Sequence, residues 1–196
     1  MFKGVIKIEI NFAKIKQNNH NMTTETETET EIQHKLYFDG CSKSNPGLSG
    51  SGSVIYDANN NEIWTDAYFV GNKQTNNFAE YTGLYRGLME ANKMGLKQLA
   101  VFGDSNLVIK QMKGEFKVNS ENLIGIYEEC KKLANKFEII TFQHIYRRFN
   151  TRADELSNQG IIGLNGFEND KIKMEKLKPK SKPKSKPKKN HRKTKQ

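Results

Sequence analysis

Apolar and polar residues recur along the central part of the chain in patterns that predict a mixed α/β fold. Short runs rich in β-branched and aromatic residues, separated by turn residues such as Asn45-Pro46-Gly47, predict three consecutive strands. Further along, apolar residues with a period near 3.6 predict helices that alternate with short apolar strands. The predicted strands are Lys35–Cys41, Ser51–Tyr56, Ile63–Val70, Leu99–Gly103 and Glu138–Ile145, and the predicted helices are Phe78–Met94, Ser105–Met112, Glu121–Lys136 and Thr151–Ile162. This order indicates a mixed sheet with helices packed on it.

The segments on either side of residues 35–165 differ in composition from a folded domain. Residues 1–34 contain a short alternating apolar stretch, an Asn-rich spacer and a Thr-Glu repeat, so we expect an N-terminal extension that is largely flexible. Residues 166–196 contain the repeat KPKSKPKSKPKK, whose prolines and like charges predict a disordered basic tail. One folded domain, residues 35–165, is therefore expected between two flexible ends.

The positive charge of the chain is concentrated in the tail. The 196 residues include 32 Lys+Arg and 22 Asp+Glu, which gives a formal net charge of +10. Residues 171–196 contain 13 of the basic residues and one acidic residue, so their net charge is +12. The remaining 19 basic and 21 acidic residues give residues 1–170 a net charge of −2. Residues 1–170 are thus slightly acidic, and the positive charge of the chain belongs to the tail.

Composition also indicates the cellular compartment of the protein. No run of 18 apolar residues is present, which excludes a hydrophobic membrane-spanning helix, and charges interrupt every potential signal-peptide core near Met1. The two cysteines, Cys41 and Cys130, are too few for a disulfide framework. We expect an intracellular protein, cytoplasmic or nuclear, that does not bind membranes and is a monomer.

Four carboxylates stand where elements begin or end. Asp39 and Asp104 end predicted strands that could lie side by side, whereas Glu80 and Asp154 belong to the starts of predicted helices. Each has an ordinary structural explanation: Asp39 as a turn residue, Asp104 as a helix N-cap, Glu80 as a partner of the helix dipole, and Asp154 as part of a capping box. Glu80, however, borders the apolar face of its helix.

Convergence of these four side chains favours a metal site. A pair of like charges at close range costs about 4 kcal/mol in a protein-like dielectric. Hard divalent cations with oxygen ligands would offset that cost, and Mg²⁺ or Mn²⁺ are the natural candidates. Zinc is disfavoured because no Cys/His cluster has the spacing of a zinc site.

The same carboxylates lie within four motifs that resemble those of the type 1 ribonuclease H family. The motifs are YFDGCSKSNPG at 37–47, TNNFAEY at 75–81, GDSNLV at 103–108 and HIYRRFNTRADELSN at 144–158. The resemblance covers about residues 35–165. It implies a ribonuclease H-like fold, with a five-stranded mixed sheet of order 3-2-1-4-5 flanked by helices.

The resemblance also implies an activity and its residues. The family cleaves the RNA strand of RNA–DNA hybrids with two Mg²⁺ ions, Mn²⁺ being an alternative, and leaves 5′-phosphate and 3′-hydroxyl ends. By motif match, His144 would assist proton transfer or product release, although it could also be an ordinary strand-end histidine. The metal-binding carboxylates would be Asp39, Glu80, Asp104 and Asp154, and the side chains contacting the hybrid would be Asn45, Asn76, Asn77 and Asn106. Asn106 stands where Gln is common in the family.

One departure from the family concerns how the substrate is bound. Some members carry a basic helix after the third catalytic strand, whereas here Lys110–Lys117 leads almost directly into the next long helix. We hypothesise that the tail, residues 171–196, contacts the nucleic-acid phosphate backbone instead. It could also be a nuclear localisation signal or a solubilising appendage. Two other functions remain open: another nuclease of the ribonuclease H-like superfamily, and a non-catalytic nucleic-acid-binding module.

Overall fold

The computed structural model describes residues 32–162, which form a five-stranded sheet with helices on both faces. The strands are β1 (Lys35–Ser42), β2 (Gly47–Tyr56), β3 (Glu62–Gln74), β4 (Gln98–Gly103) and β5 (Ile139–His144). The helices are α1 (Asn76–Lys93), α2 (Asn106–Lys113), α3 (Glu121–Ala134) and α4 (Thr151–Ile162), and a short 3₁₀ turn covers Arg147–Phe149. The predicted flexible segments, 1–34 and 166–196, lie outside the described residues apart from 32–34.

The strand order confirms the predicted topology. It is β3-β2-β1-β4-β5, in which β1, β2 and β3 pair antiparallel while β4 pairs parallel with both β1 and β5. The two parallel pairs require crossover connections, which α1 supplies between β3 and β4, and α2 with α3 between β4 and β5. The carboxyl ends of β1, β4 and β5 therefore meet at one edge of the sheet.

The main hydrophobic core lies between the sheet and α1. Leu36 and Phe38 of β1 pack against Tyr81, Leu84 and Leu88 of α1, and all five side chains are fully buried. Helix α3 packs on α1 and closes this core from outside. On the opposite face of the sheet, α4 lies across β1, β2 and β3. The three antiparallel strands are thus covered on both faces, by α1 on one side and by α4 on the other.

Two strands are several residues longer than the sequence pattern predicted. β2 begins at Gly47 instead of Ser51, and β3 continues to Gln74 instead of Val70. Three of the four added residues of β2 are small, namely Gly47, Ser49 and Gly50. At Gly50 α4 approaches closely: a Cβ there would lie 2.2 Å from the Ser157 carbonyl oxygen. Small residues give no alternating hydrophobic signal, so the prediction stopped short.

The link from α2 to α3 is short. Residues 114–120 join the two helices without further helix or strand, in agreement with the expectation that a basic helical protrusion is short or absent. Gly114 ends α2 in the left-handed conformation, with φ of +78°. In the described part of the chain, no helix is both long and apolar enough to cross a bilayer.

Candidate active site

Three of the four predicted carboxylates meet at the carboxyl edge of β1 and β4. Asp39 lies on β1, Glu80 on α1 and Asp104 directly after β4, and one carboxylate oxygen from each lies within 4.8 Å of the others. Asp39 and Glu80 are buried, with relative exposures of 2% and 4%, and Asp104 is half-buried. We call this group the carboxylate cluster.

Strand register brings Asp39 and Asp104 together. β1 and β4 are parallel neighbours, and Phe38 is paired with Gly103. The next residue of each strand is an aspartate, so both carboxyl groups emerge at the same level of the sheet. The alternative that Asp104 caps α2 is wrong, because Ser105 is the N-cap residue and its hydroxyl accepts a hydrogen bond from the Val108 N–H.

Close backbone approach brings Glu80 to the same place. A Cβ at Gly40 would lie only 2.0 Å from the Glu80 backbone nitrogen, and one at Gly83 would lie 2.8 Å from the Asp39 carbonyl oxygen. These two glycines let α1 pack directly on the β1 backbone. α1 begins at Asn76, two residues before the prediction, so Glu80 lies beyond the first helical turn. Its position is therefore not explained by the helix dipole.

The electrostatics of the carboxylate cluster indicate that it needs a cation. Burial raises the pKa of Asp39 to about 7, with contributions from the negative charges of Asp104 and Asp154. Burial also raises the pKa of Glu80, and Asp39 and Asp104 raise it further. Within residues 32–162, Glu80 Oε2 is buried and has no hydrogen-bond partner. A divalent cation would neutralise the charges, and Glu80 Oε2 could serve as one of its ligands. The all-carboxylate donor set suits Mg²⁺ or Mn²⁺.

Asp154 lies beside the carboxylate cluster rather than within it. Its side chain is 28% exposed and forms an ion pair with Arg147. The Asn158 side-chain amide donates a hydrogen bond to the Asp154 backbone carbonyl at 2.8 Å and lies 3.5 Å from one Asp154 carboxylate oxygen. Asp154 is nevertheless near enough for its charge to raise the pKa of Asp39. It is placed at the edge of the site, on the first turn of α4.

His144 stands on the rim of the site. It ends β5, is exposed, and its Nε2 lies 3.1 Å from the Asp104 backbone carbonyl oxygen. Gly103 and His144 are register partners in the parallel β4–β5 pair, which explains the proximity. It is therefore a strand-end histidine that is also adjacent to a predicted metal ligand.

The four predicted asparagines lie near the same edge. Asn76, the first residue of α1, donates its backbone N–H to the Asn45 side-chain oxygen at 3.1 Å, which joins the β1–β2 loop to the helix. Asn77 follows Asn76 and is half-buried, whereas Asn106, the first residue of α2, is exposed.

Three supporting residues within the motifs had no predicted role. The Ser157 hydroxyl donates to the Asp39 carboxylate at 2.6 Å. The buried Asn150 side chain donates to the Phe38 carbonyl at 2.8 Å and to the Asp104 carboxylate at 3.0 Å. Arg147 pairs with Asp154, as described above. The available signal was spacing, since Asn150 lies four residues before Asp154 and Ser157 lies three after it, within one turn on either side.

Comparison with known proteins identifies the fold and family. The profile of the reverse transcriptase-like family matches residues 37–160. A bifunctional protein of Mycobacterium tuberculosis is 38% identical over 123 residues, which are 63% of this chain and 34% of that protein. The chain thus spans about a third of the length of this relative.

Two solved structures show the same arrangement. One is the N-terminal RNase H domain of the Mycobacterium tuberculosis protein, with 36% identity, a TM-score of 0.64, and coverage of 67% of this chain and 94% of that one. The other is LC11-RNase H1 in complex with an RNA/DNA hybrid, with 32% identity, a TM-score of 0.62, and coverage of 66% and 97%. The chain therefore belongs to the reverse transcriptase-like, or ribonuclease H-like, family, as the four motifs predicted.

Proposed function

We propose that this protein is an endoribonuclease that hydrolyses the RNA strand of RNA–DNA hybrids. The observation that carries the proposal is the carboxylate cluster, Asp39, Glu80 and Asp104, at the carboxyl edge of β1 and β4 in a ribonuclease H fold. The relative that was solved with an RNA/DNA hybrid supports the choice of substrate. The protein would act as a monomer inside the cell.

The metal-binding residues would be Asp39, Glu80, Asp104 and Asp154. The first three already present one oxygen each within 4.8 Å of the others, and Asp154 adds a carboxylate at the exposed side. Two Mg²⁺ ions bound there, or two Mn²⁺ ions, would supply the charge that activates a water molecule and stabilises the departing oxygen. Hydrolysis then needs no protein nucleophile.

The bond changes define the products. The water oxygen bonds to phosphorus while the bond between phosphorus and the 3′-oxygen breaks, which leaves 5′-phosphate and 3′-hydroxyl ends. His144 would assist proton transfer or product release. The Nε2 atom of His144 faces the backbone carbonyl oxygen of Asp104, which can only accept a hydrogen bond. Nδ1 is therefore the ring nitrogen that would accept or release a proton.

Ser157 and Asn150 hold the carboxylates in position. Each donates a hydrogen bond to a carboxylate oxygen, Ser157 to Asp39 and Asn150 to Asp104, and each is buried. Hydrogen bonds to the ionised form of a carboxylate favour ionisation, which metal binding requires.

Recognition of the RNA strand would come from the asparagines around the carboxylate cluster. Side-chain amides can both donate to and accept from a ribose 2′-hydroxyl, the group that distinguishes RNA from DNA. Asn45 and Asn76 are already joined by a hydrogen bond. Asn77 is the second residue of α1, the helix that carries Glu80, and Asn106 is the first residue of α2, which follows Asp104.

The basic tail, residues 171–196, would add affinity for phosphates that does not depend on base sequence. Its 13 Lys and Arg residues far exceed its single acidic residue. Cations that neutralise phosphates release counterions, so binding of this kind weakens steeply with salt.

Cleavage assays on three duplexes test the function. Labelled RNA–DNA hybrid, double-stranded RNA and double-stranded DNA are each incubated with Mg²⁺ and with EDTA. We expect cleavage of the RNA strand of the hybrid, only with Mg²⁺. Cleavage of double-stranded DNA would indicate a different nuclease of the superfamily, and metal-independent binding without cleavage would indicate a non-catalytic module.

A matched pair of variants on α1 tests the metal ligands. Glu80→Gln removes a buried carboxylate of the cluster, and we expect activity to fall by at least about 100-fold, as for loss of a group that acts in the transition state. Glu90→Gln makes the same change on the same helix, where the half-buried Glu90 pairs with the exposed Lys93, and should leave activity unchanged. Equal activity of the two variants would refute the assignment.

A further inference from the structure

Two large aromatic side chains are exposed beside the site. Tyr146 and Phe149 are 69% and 61% exposed, and both lie in the connection between β5 and α4. Single exposed aromatic residues are common, but two that flank the same arginine beside a cluster of buried carboxylates form a surface suited to contact. We call Tyr146, Arg148 and Phe149 the aromatic–arginine turn.

Arg148 lies against both rings. Its guanidinium carbon is 5.4 Å from the centre of the Tyr146 ring and 4.8 Å from that of Phe149. Within the part of the chain that the structure describes, no carboxylate pairs with Arg148. Its neighbours differ: Arg147 pairs with Asp154, and Arg152 pairs with Glu62 and Glu155. The rings therefore orient the Arg148 fork while leaving its N–H groups available to an anion.

Contacts at both ends fix the turn to the site. The ring of Tyr146 packs edge-on against that of His144, with 6.2 Å between their centres, and His144 in turn lies against Asp104. At the other end, Asn150 follows Phe149 directly and donates to the Asp104 carboxylate. The aromatic–arginine turn is therefore held at the rim of the carboxylate cluster, not on a detached loop.

We propose that the aromatic–arginine turn binds the sugar-phosphate backbone of a nucleic-acid duplex beside the cleavage site. Arg148 contacts one phosphate, and Tyr146 and Phe149 pack against the adjoining sugars. The argument is charge complementarity: the carboxylate cluster repels a polyanion, so a cation at its rim is needed to hold the strand there. This inference rests on the proposed function, since it names the surface by which the same site holds its substrate.

Salt titration of hybrid binding tests the proposal. The dissociation constant of the full-length protein for an RNA–DNA hybrid is measured in EDTA, where no cleavage occurs, at several salt concentrations. For Arg148→Ala, we expect the dissociation constant to rise roughly threefold to tenfold and the slope of its logarithm against log salt to fall by about 0.9, the value for one lost phosphate contact. Steady-state cleavage should show the loss in KM rather than in kcat.

Three further variants make the result specific. Lys93→Ala removes one positive charge at the opposite end of α1, roughly 20 Å from Glu80, and should leave the slope unchanged. Arg148→Lys keeps the charge and should restore the slope but only part of the affinity. Tyr146→Leu should weaken binding with the slope preserved, because it removes the ring and no charge.

The outcomes separate this inference from the proposed function. If the wild-type protein cleaves hybrid but Arg148→Ala binds it with wild-type affinity and slope, the aromatic–arginine turn is not a contact surface and the nuclease activity stands. The same conclusion follows if Lys93→Ala changes the slope as much as Arg148→Ala does. If the wild-type protein neither binds nor cleaves hybrid, the proposed function itself fails.

Discussion

Replacing Asp39 by Asn should make the metal-free protein more stable at alkaline pH, although it removes a predicted metal ligand. The Asp39 carboxyl is 2% exposed, and burial raises its pKa to about 7 from an ordinary value of 3.8. Ionisation of Asp39 is therefore more costly in the folded state than in the unfolded state. Asn is nearly isosteric and carries no charge, so it avoids that cost.

The direction of the pH effect follows from proton binding. Below pH 3.8 the Asp39 carboxyl is protonated in both states, and it imposes no cost. Between pH 3.8 and about 7, folding takes up a proton, so the free energy of unfolding falls by about 1.4 kcal/mol per pH unit. Above about pH 7 the full cost remains, and a difference of about 3 pKa units corresponds to about 4 kcal/mol.

Urea unfolding in EDTA at pH 5 and pH 8, followed by the fluorescence of Trp64, measures the effect. We expect the free energy of unfolding of Asp39→Asn to exceed that of the wild-type protein by about 2–4 kcal/mol at pH 8 and by much less at pH 5. Adding Mg²⁺ should stabilise the wild-type protein and not the variant. Asp57→Asn is a control of opposite sign, because hydrogen bonds from Asn61 lower the pKa of Asp57 and its ionised form is favoured. An Asp39→Asn protein that is less stable than wild type at pH 8 would refute the reasoning.

Two further predictions concern the supporting side chains and the tail. Asn150→Ala removes the hydrogen bonds to the Phe38 carbonyl and the Asp104 carboxylate. We therefore expect the free energy of unfolding, measured in urea, to fall by about 1–3 kcal/mol and kcat to fall as well. A folded variant with wild-type kcat would show that Asn150 does not position Asp104. Truncation after Asp170 removes the 13 tail cations, so hybrid KM should rise and its salt dependence should weaken while kcat stays near wild type; an unchanged salt dependence would exclude the tail as a phosphate contact.

The fold and two of the site residues could be predicted because their signals are local. Strand and helix periodicity gives the element order, and the parallel arrangement of β1 and β4 places whatever follows Phe38 and Gly103 at one edge. Asp39 and Asp104 are therefore readable from the sequence as neighbours. The family motifs then fix which strands pair, since periodicity alone is compatible with more than one order.

The remaining site geometry depends on contacts between distant parts of the chain. Glu80 reaches the carboxylate cluster because α1 packs directly on Gly40. Gly83 within α1 is consistent with close packing, but nothing in α1 identifies Gly40 as the residue it packs on. Likewise, Ser157 donates to Asp39 across 118 residues of sequence, and Asn150 to the Phe38 carbonyl across 112. The ion pair between Arg147 and Asp154 is local, but neither residue type nor spacing shows that it lies beside the carboxylate cluster.

Acidic and basic side chains of the molecule are suited to binding different partners, metal ions and a nucleic-acid duplex. The carboxylate cluster consists of acidic side chains, two of them buried, so it attracts cations and opposes the approach of a phosphate backbone. Cations elsewhere on the molecule are needed to offset that repulsion when a duplex binds. The groups that we propose attract a duplex lie outside the cluster, namely Arg148 on the rim and the Lys and Arg residues of the tail. Metal occupancy should therefore govern the rate of cleavage, and ionic strength should govern affinity for the duplex, because the two quantities depend on separate sets of side chains.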